Sequence, residues 1–232
     1  MLDQAFAALN TYDWGQDRTA LNPIDQAVVD THGDKAAREK LESRLAAVLQ
    51  TDVSRAAKDF ICRKLRVVGS SVSVRALAGL LPQKEYSHMA RYALESMPTS
   101  AAAQALRDAL PTLEGELKIG VIASLGARQD GASVPSLGQL VASDKGPIAS
   151  SAADALGAIR SSAAAKALAE AKPQQATAKS AVANASLSCA EALLASDNKA
   201  EARVIYAALT GGSQPKQIRV AATRGLLACV GK

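Results

Sequence analysis

Aromatic side chains make up only 3% of the 232 residues: four tyrosines, two phenylalanines and one tryptophan. A chain so poor in rings, whose apolar residues are mostly small or straight-chain, has little of what favours strands and much of what favours helix. Histidine and cysteine are also scarce, two and three residues respectively. That scarcity leaves no His-x-x-x-His or Cys-x-x-Cys metal pattern. Cys62, Cys189 and Cys229 are odd in number and far apart, so no disulfide framework is written into their spacing and they read as small buried residues. Neither a G-x-S-x-G nucleophile elbow nor a G-x-x-x-x-G-K-S/T phosphate loop occurs. The expectation is a non-catalytic protein with no cofactor and no metal. No run approaches the roughly 18 apolar residues of a membrane span, and "MLDQAFAALNTYDWG" lacks the basic and hydrophobic regions of a signal peptide. No membrane insertion is expected, and the chain reads as soluble.

What the sequence has in excess is alanine: residues 151–171, "SAADALGAIRSSAAAKALAEA", contain ten of them. Their purpose becomes clear from an internal repeat. Leu65, Leu94, Leu125, Leu156 and Leu187 are separated by 29, 31, 31 and 31 residues, and Leu226 follows after a step of 39. Five residues after the first four leucines stand Ser70, Thr99, Asp130 and Ser161, all residues that cap helix N-termini, and twelve residues after them stand Leu77, Leu106, Leu137 and Leu168. Each unit therefore reads as helix, capped turn, helix. One such pair has too narrow an apolar face to stand alone, so pairs must stack. Ala93, Ser124, Ala155 and Ser186, each just before a repeat leucine, let neighbouring helices approach closely.

The predicted fold is all-α, a right-handed superhelix of about five and a half helix pairs in one continuous array. Residues 1–51 form N-terminal capping helices. Asn22 and Pro23 serve as N-cap and first residue of a helix ending near His32 and Gly33, and Asp34 caps a second one. The pairs then fall at about 52–85, 86–115, 116–146, 147–177 and 178–215, with 216–232 incomplete. Because a solenoid ends in a polar cap, the natural protein is expected to continue past the unpaired last helix.

"AADALGAIR" at 152–160 and "VIASLGARQD" at 121–130 resemble the first helices of short bacterial HEAT repeats, and the resemblance covers about residues 52–232. The Val-Arg pair usual in such helices survives plainly only in "IRVAA", at Ile218 and Arg219. "SHMARYALE", within 85–95, is similar to a phrase of HEAT proteins from the planctomycete lineage. That resemblance implies export for many of them and fusion to other modules.

Three stretches are candidates for partner binding. In "EYSHMARYALE", 85–95, Met89, Ala90, Ala93, Leu94 and Met97 fall on one side of a helix while His88, Arg91, Tyr92 and Glu95 gather on the other. That polar face suits an acidic or polar partner group; the plainer reading is an i,i+4 Arg91–Glu95 pair with Tyr92 against the adjoining repeat. In "RAAKDFICRKLR", 55–66, Arg55, Lys58, Arg63 and Arg66 share a face such as a phosphate-contacting helix offers, but Asp59 lies four residues from both Arg55 and Arg63, which favours a salt-bridged solvated face. In "TYDWGQDR", 11–18, Trp14 is an interface anchor or, more plainly, a cover for the first repeat. His32 suits a helix C-terminus.

Function is expected to be that of a scaffold: a solenoid presenting a concave surface to a protein partner or to other domains of a longer chain. A specific partner is expected to engage residues of about 55–110, with Arg91 and Tyr92 central. Two alternatives follow from the same resemblance, a nucleic-acid-binding protein of the DNA-glycosylase type and a bilin-lyase-like protein. Residues 1–116 carry 14 basic and 15 acidic side chains and 117–232 carry 13 and 7, so the basic excess lies in a half with a single aromatic, Tyr206, and nucleic acid is the weaker reading. No residue supports bilin chemistry. The compartment stays open between the cytoplasm and, with an upstream signal removed, the periplasm.

Overall fold

A computed structural model describes residues 1–143 and 146–230, and every regular element among these residues is helical. The chain is all-α and forms two compact units, Met1–Leu113 and Glu114–Lys232. Among the described residues, no helix is long and apolar enough to cross a membrane.

The first unit holds α1 (Leu2–Ala8), α2 (Asn22–Asp30), α3 (Lys35–Leu49), α4 (Arg55–Val68), α5 (Ser71–Ala78), α6 (Ser87–Ser96) and α7 (Ser100–Ala109). Helices α2, α4 and α6 lie side by side in one layer and α3, α5 and α7 in a second, with α3 also against α4 and both α5 and α7 against α6. The leucines that set the repeat lie between the layers: Leu65, Leu77, Leu94 and Leu106 are all fully buried. Four short polar side chains start helices, each accepting from a backbone amide of the first turn: Asp34 from Ala37, Ser54 from Ala57, Ser70 from Val72 and Thr99 from Ala101. The start of α2 differs from expectation, for Asn22 and Pro23 are already inside the helix and Leu21 is its N-cap. The cause lies upstream, where the Asp17 carboxylate accepts from the Thr19 amide and hydroxyl at 2.9 and 2.7 Å and opens a 3-10 turn, Thr19–Leu21, that runs into α2. The helix stops at Asp30, and the chain then turns through Gly33 at φ +81°.

The α4–α5 corner is held from α3 by two side chains one turn apart. Arg38 donates through Nε to the Val68 carbonyl at 3.1 Å and through Nη2 to the Val67 carbonyl, closing the end of α4. Glu42, fully buried, accepts from the Ser70 amide and hydroxyl at 2.6 and 2.7 Å and from the Ser73 amide and hydroxyl at 2.9 and 2.7 Å, closing the start of α5. Cation at a helix C-terminus and anion at an N-terminus each meet the favourable end of the helix dipole.

The second unit holds α8 (Gly115–Ala127), α9 (Val134–Ser143), α10 (Pro147–Ile159), α11 (Ser162–Glu170), α12 (Ala176–Ala195), α13 (Lys199–Leu209) and α14 (Lys216–Val230). A row α8–α10–α12–α14 is backed by α9 and α11, which touch each other, while α13 lies against α12 and α14. The alanines and glycines set the spacing of the row. A Cβ added at Gly126 would stand 2.9 Å from the Ala155 Cα, and one added at Gly157 would stand 2.8 Å from the Ala185 Cα, so backbone meets backbone with no side chain between. Leu125, Leu137, Leu156 and Leu168 are buried. Corners here close differently from those of the first unit: Gln129, Arg160 and Asp197 take left-handed φ of 53, 55 and 63°, and each is followed directly by the N-cap residue of the next helical turn. Ser161 and Asn198 cap through their side chains, accepting from Ala164 and Glu201. Asp130 opens a 3-10 turn, Gly131–Ser133, and does not cap through its side chain.

Beyond Leu156 the first-helix leucine register fails. Leu187, Ser186 and Leu226 are only half-buried, and in α12 the buried positions are Ala178, Ala181, Ala183, Ala185, Cys189, Ala190 and Leu193. The physical reason is the contact of Gly157 with Ala185, which fixes the rotation of the 20-residue α12 by backbone approach and turns Leu187 partly outward.

Candidate functional site

Helix α4 is basic because one of its faces has no core to meet. Ala56, Ala57, Phe60, Ile61, Leu65 and Val68 point inward, and Arg55, Lys58, Arg63 and Arg66 remain at the surface or its edge. Helix α6 turns Met89, Ala90, Ala93 and Leu94 inward, with Met97 just beyond its end also buried. Since α4 and α6 are neighbours in one layer, the two candidate stretches, 55–66 and 85–95, meet along a single surface.

At that junction cations lie on rings. The Arg66 guanidinium stands 4.6 Å from the centre of the Tyr92 ring and donates through Nε to the Ser96 hydroxyl at 3.0 Å. Arg63 stands 5.9 Å from the same ring and donates to Asp59 at 2.8 Å. One step back along α4, the Lys58 ammonium lies 4.9 Å from the Tyr86 ring. On the other flank Lys64 and Arg18 stand 4.7 and 5.2 Å from the Phe60 ring and both pair with Asp25, whose distance to Arg18 is 2.5 Å. Burial works to raise the Asp25 carboxyl, but its bonds to Lys64 and Arg18 outweigh it and hold the group below the ordinary carboxylate value.

The four polar residues of α6 do not share one environment. His88 is exposed and Tyr92 sits under the arginines of α4. Arg91 is 3.9 Å from Glu95, and its side chain is only 16% exposed, against 59% for Arg63. Burial pushes the Arg91 guanidinium below its ordinary value, partly offset by the Glu95 charge. Arg91 is thus held within the fold, and the guanidinium groups offered at the surface belong to α4. Arg55 is exposed at the first turn of α4. Trp14 stands apart from the cluster, 57% exposed in the loop after α1, and does not cover the first helices as a cap would. Phe6 does so, buried beneath the Arg44 guanidinium at 4.0 Å. The loop that carries Trp14 is tied to the start of α4 by the Ser54 hydroxyl, which donates to the Tyr12 carbonyl at 2.5 Å.

A feature the periodicity does not reveal is a groove of about 560 Å³ between α5 and α7, floored by Val74, Ala78, Leu81, Ala101 and Ala105 with Arg75, Gln104 and Asp108 at its edge. Small residues make it by leaving space, and its one sequence signal is alanine where two second helices face each other. Chemically, the α4–α6 surface can hold a carboxylate or another anion through pre-oriented guanidinium edges. Cys62 and Cys189 are buried, and that burial pushes the Cys62 thiol up to about 12 and the Cys189 thiol to about 11, which keeps both in the unreactive thiol form. Among the described residues, no group of three or more His, Cys, Asp or Glu could hold a metal ion. No protein-family model matches the chain, and no curated protein is significantly similar to it.

Proposed function

We propose that the chain is a non-catalytic scaffold of HEAT-like helix pairs, wound as a right-handed superhelix of about five and a half pairs, that binds a protein partner or another domain of a longer chain. Support for the HEAT-like reading comes from the recurring two-layer stack, with first helices against first helices and α5 against both α3 and α7, and from the small-residue contacts between α8, α10 and α12. The observation that carries the binding reading is the Arg66 guanidinium over the Tyr92 ring, tethered by its hydrogen bond to Ser96, with Arg63 beside it. A side chain oriented before binding loses less conformational entropy when a partner arrives, and Arg and Tyr are where interface energy concentrates. The partner would present a carboxylate-bearing segment to α4 and α6.

The test is affinity capture with the wild-type chain and with Arg66→Ala/Tyr92→Ala. The double variant is expected to lose the captured partner by at least about tenfold in affinity, roughly 1.4 kcal/mol, with the helical circular dichroism signal and melting nearly unchanged. Retention of the partner by a folded double variant would overturn the site. Capture of duplex DNA in place of protein, abolished by the same substitutions, would move the nucleic-acid reading ahead.

A further inference from the structure

The groove between α5 and α7 is left by two facing rows of small side chains. Ala101, Ala105 and Ala109 form the row on α7 and Val74 and Ala78 the row on α5, while the bulky Leu77 and Leu106 of the same helices turn into the core. Buried Leu81 and Leu113 lie at the end where both helices finish. All of the lining falls between residues 71 and 113, inside the first unit. Stacked helix pairs cover one another along the array, but no residue of α4 or α6 lines the groove, so it opens on the outer side of the second layer, where a further pair in the stack does not reach.

The rim carries one charge of each sign, exposed Arg75 on α5 and exposed Asp108 on α7. Arg18, Arg44 and Arg63 each close on a carboxylate of this unit, but among the described residues the Arg75 guanidinium has no hydrogen bond or ion pair. The Asp108 carboxylate accepts from Gln104 of its own helix at 2.7 Å and does not cross the groove to Arg75. The leucine register sets Leu77 level with Leu106 and hence Arg75 level with Gln104, so Asp108 stands one turn on, about 6 Å along the groove. In an extended chain, residues two apart point to one side at about 6 to 7 Å, and the residue between them points to the other. We propose that the groove binds an extended peptide segment of a partner protein in which an acidic and a basic residue flank one aliphatic residue. The acid meets Arg75, the base meets Asp108, and the aliphatic side chain enters the alanine floor. Because α5 and α7 touch, the space between them takes side chains of an extended segment and not a whole helix, about 10 Å across. This surface is separate from the α4–α6 site and does not rest on it.

The probe is the blocked peptide acetyl-Ala-Glu-Val-Lys-Ala-amide, titrated into the full chain with isotope-labelled alanine methyl groups and followed by NMR. Saturable shifts are expected at the methyls of Ala78, Ala101 and Ala105, with affinity at least about tenfold above that of the Gln-Val-Gln version, roughly 1.4 kcal/mol. Arg75→Glu should weaken the Glu-Val-Lys peptide by a similar factor and bind a Lys-Val-Lys version better than the wild type does. Ala105→Leu, which fills the floor, should abolish binding with helicity kept, whereas Arg66→Ala/Tyr92→Ala should leave it unchanged. Equal affinity for the Glu-Val-Lys and Gln-Val-Gln peptides would overturn the proposal, as would an Arg75→Glu variant with no gain for Lys-Val-Lys. So would loss of binding in Arg66→Ala/Tyr92→Ala, which would seat the peptide on α4 and α6, or a dimer in sedimentation that Ala105→Leu dissolves, which would make a second copy the occupant.

Discussion

Two kinds of buried residue carry stability here, a carboxylate with every bond made and thiols that are costly to ionise. Glu42 accepts four hydrogen bonds from Ser70 and Ser73 with no solvent exposure. Glu42→Ala would leave two amides and two hydroxyls inside the fold without that acceptor. The expected loss is roughly 3 kcal/mol, read from urea denaturation; a loss under about 1 kcal/mol would mean the corner is held without it. Cys62 and Cys189 act through pH. Burial raises Cys62 to about 12, with the Asp59 charge adding, and raises Cys189 to about 11, against an ordinary value of 9.0. A raised thiol value means that the unfolded chain ionises first, so this stabilisation is whole below pH 9 and is lost as pH climbs through 11 and 12. The urea midpoint of the wild type should therefore fall more steeply above pH 9 than that of Cys62→Ala/Cys189→Ala. Parallel curves would place the alkaline loss elsewhere. The same burial means that iodoacetamide should modify half-exposed Cys229 in the folded chain and reach the other two only on unfolding.

At the scale of helices, spacing is set by what is missing from the side chains. At Gly157 an added methyl would meet the Ala185 backbone at 2.8 Å, whereas at Gly79 the nearest atoms are 3.5 Å away. Helix propensity alone predicts that Gly→Ala helps by up to about 1 kcal/mol at Gly157, inside α10, and the right-handed backbone of Gly79, the residue after α5, also accepts alanine without strain, with a smaller gain from the unfolded state. The contacts predict opposite signs: Gly157→Ala should cost roughly 1 to 3 kcal/mol and Gly79→Ala should be neutral or stabilising. Equal melting temperatures for the two variants would show that α10 and α12 are not in backbone contact. This also explains how far the sequence could be read. Leu65 to Leu156 and their partners twelve residues on are buried because a bulky side chain every turn or two leaves a helix one choice of inward face. In α12 the alanines leave that choice open, so Leu187 misled and Ala185 decided. At the candidate site, periodicity placed Arg63 and Arg66 on one helix face and Tyr92 on another. That the Tyr92 ring of α6 lies under Arg63 and Arg66 of α4 depends on contacts 26 and 29 residues apart in sequence, which no local pattern encodes. The wheel also grouped Arg91 with Tyr92, although at 16% exposure Arg91 is mostly enclosed.

Across the whole molecule, the net positive charge and the aromatic residues are kept apart. Residues 1–113 carry 14 basic and 13 acidic side chains with six of the seven aromatics, and residues 114–232 carry 13 basic and 9 acidic with only Tyr206. Tyr206 is buried against Gly225 and offers no stacking surface. In the first unit the rings of Phe60, Tyr86 and Tyr92 lie against the protein's own Lys and Arg. Arg63, Lys64 and Arg18 of that surface already pair with Asp59 or Asp25. Tight nucleic-acid binding needs many convergent phosphate contacts, and for single strands also open rings on which bases stack. Neither unit combines the two, so duplex and single-stranded DNA should both bind weakly, in the range of non-specific contacts, with no sequence preference. Anisotropy titrations at about 50 and 150 mM salt measure this. Affinity tighter than about 1 μM at the higher salt, falling by orders of magnitude between the two, would require a row of free cations along the molecule that the ion pairs with Asp25 and Asp59 argue against, and nucleic acid would then displace protein as the proposed partner.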